Sequence, residues 1–290
     1  MTPGSHLLSA LSLGFITLNL LVWIVPLVLL GFVKFVVPPI ARSVDPLMDG
    51  IYRIAVRLDD FWLKRVLGIE WPHPVSGLQR SSSALVISNH VSWSDILLIQ
   101  SVLVPHGPLV KFLAKRELVW VPIFGVIFWA FDFPMLRRRT RPGEDEQERR
   151  ARDQAALVSA CEVLRDRPAA LVNFAEGTRF DEAKRIDSQS PFEHLLDPRV
   201  GGLHTLREAV GDQVETVIDL TLIYPRESSF WEFLSGAVDK VEVEAELIPT
   251  SSLPATREAL REWLSARWAL KDSRIAVRRQ AIEAGSHPVT

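Results

Sequence analysis

The apolar and polar positions divide the chain into a long apolar opening and a body of shorter alternating segments. Leu7 to Val33 carries no charged residue, and only Lys34 interrupts the apolar character before Pro39. As a helix rising ~1.5 Å per residue, this run exceeds a hydrocarbon core of ~30 Å. A secretory signal is the rival reading. It has an apolar region of ~7–15 residues behind a basic start, whereas no Lys or Arg precedes this run. The pattern therefore predicts a retained membrane anchor. Pro26 and Gly31 leave two geometries open: one spanning helix, or two shorter helices that dip into one leaflet and return. Lys34, Arg42, Arg53, Arg57, Lys64 and Arg65 all follow the run. The positive-inside rule then places the main body in the cytoplasm, on the inner face of a cytoplasmic membrane.

Beyond the anchor, residues 49–67 space Ile51, Ile54, Leu58, Phe61 and Trp62 at helical intervals, with basic residues between them. Such a helix suits either the membrane surface or the protein's own core. "WPHPVSGLQRSSS" has the Pro, Gly and Ser content of a linker. Short apolar runs then read as strands: 84–88, 109–114, 131–136, 169–175, 217–224 and 240–248. Residues 144–166 read as a helix with acids in its first turn and Leu157, Cys161 and Leu164 on its apolar side. Residues 118–133 are apolar but interrupted by Pro122, Gly125 and Asp132, and read as a core or interfacial helix. The tail is helical and polar, docked by Trp263, Leu264 and Trp268. Strands alternating with helices predict an α/β fold: a mixed, largely parallel sheet covered by helices, with an N-terminal membrane helix or helical hairpin. The expected divisions are an anchor at 1–40, an amphipathic helix and linker at 41–75, a catalytic domain at 76–250 and a helical tail at 251–290.

Composition sharpens this picture in three ways. The chain is 48% hydrophobic and 23% charged, which agrees with a membrane segment. The net charge of -2 gives no bulk attraction for nucleic acid, so anion binding has to come from local clusters. Cys161 is the only cysteine, which excludes an intrachain disulfide and suits a buried thiol.

The candidate chemistry begins at "VISNHVSWSDILL", residues 86–98. A strand ending near Asn89 and a helix starting near Ser92 would set His90 just outside the helix and swing Asp95 back toward it. Ser92 and Asp95 also have the spacing of a capping box, so the pair could be structural. In the catalytic reading, Asp95 accepts one imidazole N–H, and the other nitrogen is free to take a proton from a hydroxyl. The helix N-terminus would offer further N–H groups to an anion. A second stretch, "NFAEGTRF" at 173–180, also follows a strand. Gly177 permits a tight turn, Arg179 offers a fork of donors suited to phosphate, and Glu176 could hold that arginine or a substrate hydroxyl. Alternatively, this is a turn with a surface ion pair. Both stretches fall at strand ends, where open α/β sheets bind ligands. "FPMLRRRTR" adds a basic run, whose bland role is to face solvent or lipid headgroups; Arg137 and Arg138 are the first candidates to enter the site, and Lys111 and Lys115 point there more weakly. No nucleophile elbow, zinc spacing, P-loop or dinucleotide fingerprint is present in the sequence.

These blocks together resemble the glycerophospholipid (lysophospholipid) acyltransferase family, the PlsC-like 1-acyl-glycerol-3-phosphate acyltransferases. "NHVSWSD" is similar to the family's N-H-x-x-x-x-D block, "FAEGTR" to its F-x-E-G-T-R block and "FPMLRR" to an intermediate basic block. The resemblance covers residues 76–230. It implies that His90 is a general base for the acceptor's glycerol hydroxyl and that Asp95 orients it. The hydroxyl would attack a thioester on coenzyme A or acyl carrier protein with no acyl-enzyme. Glu176, Gly177, Thr178 and Arg179 would bind the acceptor, a lysophospholipid such as 1-acyl-glycerol-3-phosphate, with Arg137 and Arg138 assisting at its phosphate. Trp93 and Phe174 read as packing. No resident cofactor or metal is implied; the acyl thioester is a substrate. Phe180 and the block Tyr224-Pro225-Arg226 depart from the family pattern, which leaves the acceptor open. Residues 181–202 look like a loop over the acceptor site, with 191–196 as a short lid. A membrane lipid hydrolase or thioesterase, in which His90 activates water, and a non-catalytic lipid-binding protein are the competing readings.

Overall fold

A computed structural model describes residues 1–285, apart from 73, 121, 132, 134, 137–144, 146, 149, 150, 153, 156, 157, 159, 160, 162, 163, 165 and 166. The body is built on a five-stranded sheet: β1 (Ala84–Ser88), β2 (Leu109–Phe112), β5 (Ala169–Phe174), β6 (Thr216–Ile223) and β7 (Glu242–Pro249). Their order is β2-β5-β1-β6-β7. The first four run parallel, and β7 pairs antiparallel with β6. A separate two-residue pair joins β3 (Ala114–Lys115) to β4 (Met135–Leu136). The strands read at 109–114 and 131–136 are thus shorter than their apolar runs, because an apolar run marks burial, not the extent of pairing.

The four parallel strands are apolar at nearly every position because both faces of the sheet are covered there, whereas edge strand β7 carries Glu242, Glu244 and Glu246. Ala84, Val86, Ala170, Val172, Ile218 and Leu220 turn to one core, which they share with α2 (Ala41–Phe61), α3 (Ser94–Leu103) and α4 (Pro122–Ala130). Leu85, Ile87, Leu171 and Val217 turn to the other, beneath α5 (Val200–Val210) and α6 (Arg257–Gly285). Cys161 is buried in this second core, and burial pushes its thiol up to about 11. Leu264 and Trp268 dock α6 as expected, with Trp263 packed at the margin. Residues 118–133 form a short 3-10 turn followed by α4. Much of the helix read at 144–166 lies outside the described residues.

The N-terminal segment is one uninterrupted helix, α1 (Pro3–Val36). Two short helices within 7–38 are not formed, since Pro26 is carried inside α1. The reversal comes later, at Pro38–Ile40, and α2 returns along α1. By length and composition α1 could cross a membrane. One face is small and polar: Ser12 accepts from the Trp62 indole at 3.0 Å, and Asn19 donates to Ala55 O and Asp59 Oδ1, both at 2.9 Å. A Cβ on Gly31 would sit 2.4 Å from the Trp129 ring, so a larger residue there would have to displace that ring. The opposite stripe, Leu11, Leu18, Val22, Val25, Leu29 and Phe32, is exposed. α2 has the same division. Val44, Met48, Tyr52 and Val56 are buried in the body, while Leu47, Ile54, Leu58 and Phe61 are exposed. Of the two expectations for 49–67, packing on the protein's own core holds for one face; the other face is apolar and exposed. Not all of its basic residues face outward: the Arg53 guanidinium donates to the carbonyls of Val104 and Gly107.

The tail helix α6 is bound to the sheet by charge as well as by packing. Lys271 is fully buried and touches Asp219 and the Leu220 carbonyl of β6. Arg267 forks between Asp219, at 2.7 Å, and Glu246 of β7. Loss of Lys271 leaves Asp219 one donor short but still paired with Arg267, a cost of about 1–3 kcal/mol for the unmet acceptor. Lys271→Met is expected to lower stability by that order, read as a reduced urea midpoint with an unchanged slope. A wild-type midpoint would contradict the placing of α6 in the core.

Candidate active site

Three parallel strands end at the same edge of the sheet, and each delivers a side chain there. β1 and β5 end in register, with Ser88 opposite Phe174. Ser88 also lies opposite Leu220, so β6 runs three residues further, past the turn that carries His90. Asn89 uses that overhang. Its amide accepts from Leu222 N–H at 2.8 Å and donates to Leu222 O at 2.9 Å, which pins the turn to β6. The second block is tied to the first: the N–H of Phe180 donates to His90 O at 2.6 Å.

His90 and Asp95 meet as the spacing predicts. Nδ1 of His90 lies 2.8 Å from Asp95 Oδ2. A carboxylate can only accept, so Nδ1 carries the proton and Nε2 is left as the basic nitrogen. Among the described residues Nε2 has no hydrogen-bond partner, and the imidazole side chain is 17% exposed. Phe174 stacks on the ring at 3.9 Å between centroids, with 14° between planes. Its packing thus fixes the plane of the imidazole.

Asp95 is wholly buried and caps the turn in a different way from the capping box expected. α3 starts at Ser94, with Trp93 in the cap position and no side-chain cap bond. The expected capping box is therefore half formed: the Ser92 hydroxyl does not close it, but Asp95 Oδ2 accepts from Ser92 N–H at 3.0 Å, and also from Val91 N–H at 2.7 Å and from His90. These two N–H groups of the turn before α3 are occupied by Asp95. The other oxygen, Oδ1, accepts from the hydroxyl of Tyr224 at 2.6 Å. Tyr224 follows β6 and is buried, which raises its phenol well above the usual range. Sequence reasoning noted the Tyr224-Pro225-Arg226 block only as a departure and missed this contact. The cue was a polar tip on a large residue at a strand end. Arg226 instead turns outward to Glu232, 3.1 Å away.

Glu176 does not hold Arg179. It is buried, and Oε1 accepts from His90 N–H at 3.3 Å while Oε2 accepts from Leu196 N–H at 3.2 Å. It bridges the His90 turn to the segment at 190–196. Burial pushes its carboxyl up to about 8, against the pull of the two N–H groups. Gly177 has φ +72°, a left-handed conformation that closes the turn and favours glycine. Arg179 is exposed, with its guanidinium carbon 5.1 Å from the centre of the Trp93 ring. Lys184, on the short helix Glu182–Asp187, donates to Arg179 O at 3.0 Å and to Thr178 Oγ1 at 3.4 Å. It adds a second cation beside Arg179 that the sequence reading did not single out.

Residues 190–196 form a fixed strap and not a free lid. Phe192, Leu195 and Leu196 are buried, and Asp272 of α6 accepts from the N–H groups of Glu193 and His194 at 3.1 and 2.7 Å. Lys111 is buried in β2 and acts electrostatically on Asp49 of α2. Arg137 and Arg138 lie outside the described residues, as do Arg139 and Arg141. Among the described residues, no three His, Cys, Asp or Glu side chains group as metal ligands would.

The raised carboxyl of Glu176 has a consequence for stability. Between 4.5, its ordinary value, and about 8, the folded chain holds a proton that the unfolded chain has released. Stability linked to this group is therefore present at low pH and lost as pH rises through that window. Glu176→Gln removes the titration. Urea unfolding at about pH 5 and about pH 8.5 should show wild type losing stability relative to the variant as pH rises. A difference constant with pH would contradict the buried carboxyl.

Comparison with known proteins agrees with this geometry. Residues 73–240 match the acyltransferase family profile. The chain is 22% identical over 255 residues to the 1-acyl-sn-glycerol-3-phosphate acyltransferase epsilon of Mus musculus, spanning 80% of this chain and 68% of that one. It is 26% identical over 282 residues to the 1-acyl-sn-glycerol-3-phosphate acyltransferase 2 of Brassica oleracea, spanning 86% and 70%. Its fold is similar to the crystal structure of the 1-acyl-sn-glycerophosphate acyltransferase PlsC from Thermotoga maritima, with a TM-score of 0.50 at 16% identity over 92% of this chain and 99% of that one. With the family profile covering more than half of its length, and with His90 and Asp95 joined at the sheet edge, the chain belongs to the acyltransferase family and is an O-acyltransferase of the PlsC-like type.

Proposed function

We infer that the protein transfers an acyl chain from a thioester, on coenzyme A or acyl carrier protein, to the free glycerol hydroxyl of a lysophospholipid. The acceptor that fits best is 1-acyl-glycerol-3-phosphate, giving phosphatidic acid. The observation that carries this reading is the His90 imidazole: Nδ1 is committed to Asp95, and Nε2 is left without a protein partner among the described residues. His90 Nε2 takes the proton of the glycerol hydroxyl as its oxygen attacks the thioester carbonyl carbon. The tetrahedral species collapses with cleavage of the C–S bond, and the thiolate takes the proton from the imidazolium. Asp95 holds the tautomer and offsets the positive charge that forms on the ring. Ser94, the hydroxyl nearest this pair on α3, is engaged with Tyr224 at 2.8 Å, which favours direct transfer over a seryl intermediate.

Arg179 and Lys184 supply the charge for the acceptor phosphate, beside the indole of Trp93. The exposed apolar stripes of α1 and α2 form the surface for membrane lipid, and the basic residues after α1 favour a cytoplasmic body. The acceptor would then reach the site from the bilayer beside it.

Purified membranes given acyl thioester should consume it only when lysophosphatidic acid is also present. Release of free fatty acid without acceptor would identify a hydrolase instead. His90→Ala should lower transfer by ~10²–10⁴-fold, and wild-type rates would refute the assigned base. Arg179→Ala should raise the KM for lysophosphatidic acid about tenfold or more with kcat little changed. An effect confined to the acyl donor would refute its assignment.

A further inference from the structure

We propose that Tyr224 is a positioning residue for the acyl transfer, acting through Asp95 to set the basicity of the His90–Asp95 pair. The inference rests on the reading of His90 as the base, and it assigns a role to a residue just after β6, remote in sequence from both motifs.

The geometry fixes the direction of each proton. Tyr224 Oη lies 2.6 Å from Asp95 Oδ1 and 2.8 Å from Ser94 Oγ. A carboxylate accepts, so the phenol proton points to Asp95. Ser94, whose hydroxyl reaches the same oxygen, must then donate to Tyr224. A relay results: Ser94 to Tyr224 to Asp95 Oδ1, with Oδ2 left for His90 Nδ1 and the N–H groups of Val91 and Ser92. All three relay side chains are buried, so water does not substitute for a missing donor. The relay is also anchored from outside: Arg279 of α6 donates to Tyr224 O at 3.0 Å and bonds His194 Nδ1 at 3.3 Å.

The sign of the effect follows from charge. The pair is an anion when its carboxylate is ionised and its imidazole neutral, and it is neutral overall once it takes a proton. A donor at Oδ1 stabilises the anionic form more. Tyr224 thus favours the form of the pair in which His90 is able to accept a proton. Loss of its hydroxyl makes the pair hold its proton more tightly, whichever of the two groups carries it. Among the described residues, the other charged groups around the pair are Glu176 at His90 N–H, Lys271 acting on Glu176, Arg279 at the Tyr224 carbonyl and Arg179 over Trp93. None of these contacts involves the Tyr224 hydroxyl, so its removal leaves them in place.

The test uses the full-length enzyme in detergent with acyl thioester and lysophosphatidic acid. Tyr224→Phe keeps the ring and removes only the hydroxyl. The acid limb of its pH–rate profile should move alkaline by roughly half to one unit. On that limb its kcat should fall by roughly three- to tenfold, with the KM for acceptor unchanged. The titration midpoint of the ¹⁵N-labelled His90 ring should move in the same direction, a readout that mere loss of packing would not shift. Ser94→Ala, which removes the donor to Tyr224, should give a smaller shift of the same sign and decides the matter if Tyr224→Phe does not fold. His90→Ala is assayed alongside. If His90→Ala is inactive while the folded relay variants keep the wild-type profile and midpoint, the role of Tyr224 is overturned and the base stands. If His90→Ala is active at wild-type rate, the base falls and this proposal falls with it.

Discussion

A carboxylate buried as completely as that of Asp95 is tolerated only where donors surround it, and much of the site can be read as the supply of those donors. Two are backbone N–H groups of the turn after β1, one is the His90 ring and one is the Tyr224 hydroxyl beyond β6. They come from segments far apart in the chain, so they converge only if β1 and β6 pair in register and β6 runs on past the turn. The parallel pairing of Ser88 with Leu220 and the clasp of Asn89 on Leu222 provide that alignment. The same carboxylate organises the turn and orients the His90 ring. The geometry of the proposed base and local stability therefore share one group.

Glu176 extends this logic to the neighbouring strand. It joins the His90 turn to the strap at 190–196, which in turn hangs from Asp272 of α6. α6 lies beyond the residues matched by the family profile, yet Lys271, Asp272 and Arg279 reach β6, the strap and the Tyr224 carbonyl. The tail is therefore part of the support for the site. On the other side of the sheet, α2 stands between the body and α1, with one face buried in each layer of contacts and an apolar face left outward. This arrangement brings a surface suited to lipid close to the body without inserting the sheet into it.

What the sequence made legible was local. Apolar runs ending at His90 and at Glu176 located both strand ends, and the four intervening residues between His90 and Asp95 were enough to predict their pairing. The mixed, largely parallel sheet followed from the alternation of strands and helices. What it hid was non-local or depended on the third dimension. Tyr224 lies more than a hundred residues from its partner in the chain, and nothing in its own segment points to Asp95. Lys271 sits in a polar helix and reads as a surface residue, but Asp219 draws it into the core. Glu176 reads as a partner for Arg179 or for a substrate hydroxyl, whereas its partners are backbone N–H groups that leave no sequence signal. The capping box is only half formed for a related reason: the pattern was right, but the carboxylate turned back toward His90 and the turn, and left the Ser92 hydroxyl out.

The central claim is that buried Asp95 holds His90 as the Nδ1–H tautomer, with Nε2 as the base. Nitrogen NMR of the full-length protein labelled with ¹⁵N-histidine tests this directly above the titration of the ring, with His90→Ala identifying the signal. The account predicts a protonated Nδ1 in a low-field, exchange-protected hydrogen bond and an unprotonated Nε2. A protonated Nε2 with a bare Nδ1 would contradict it.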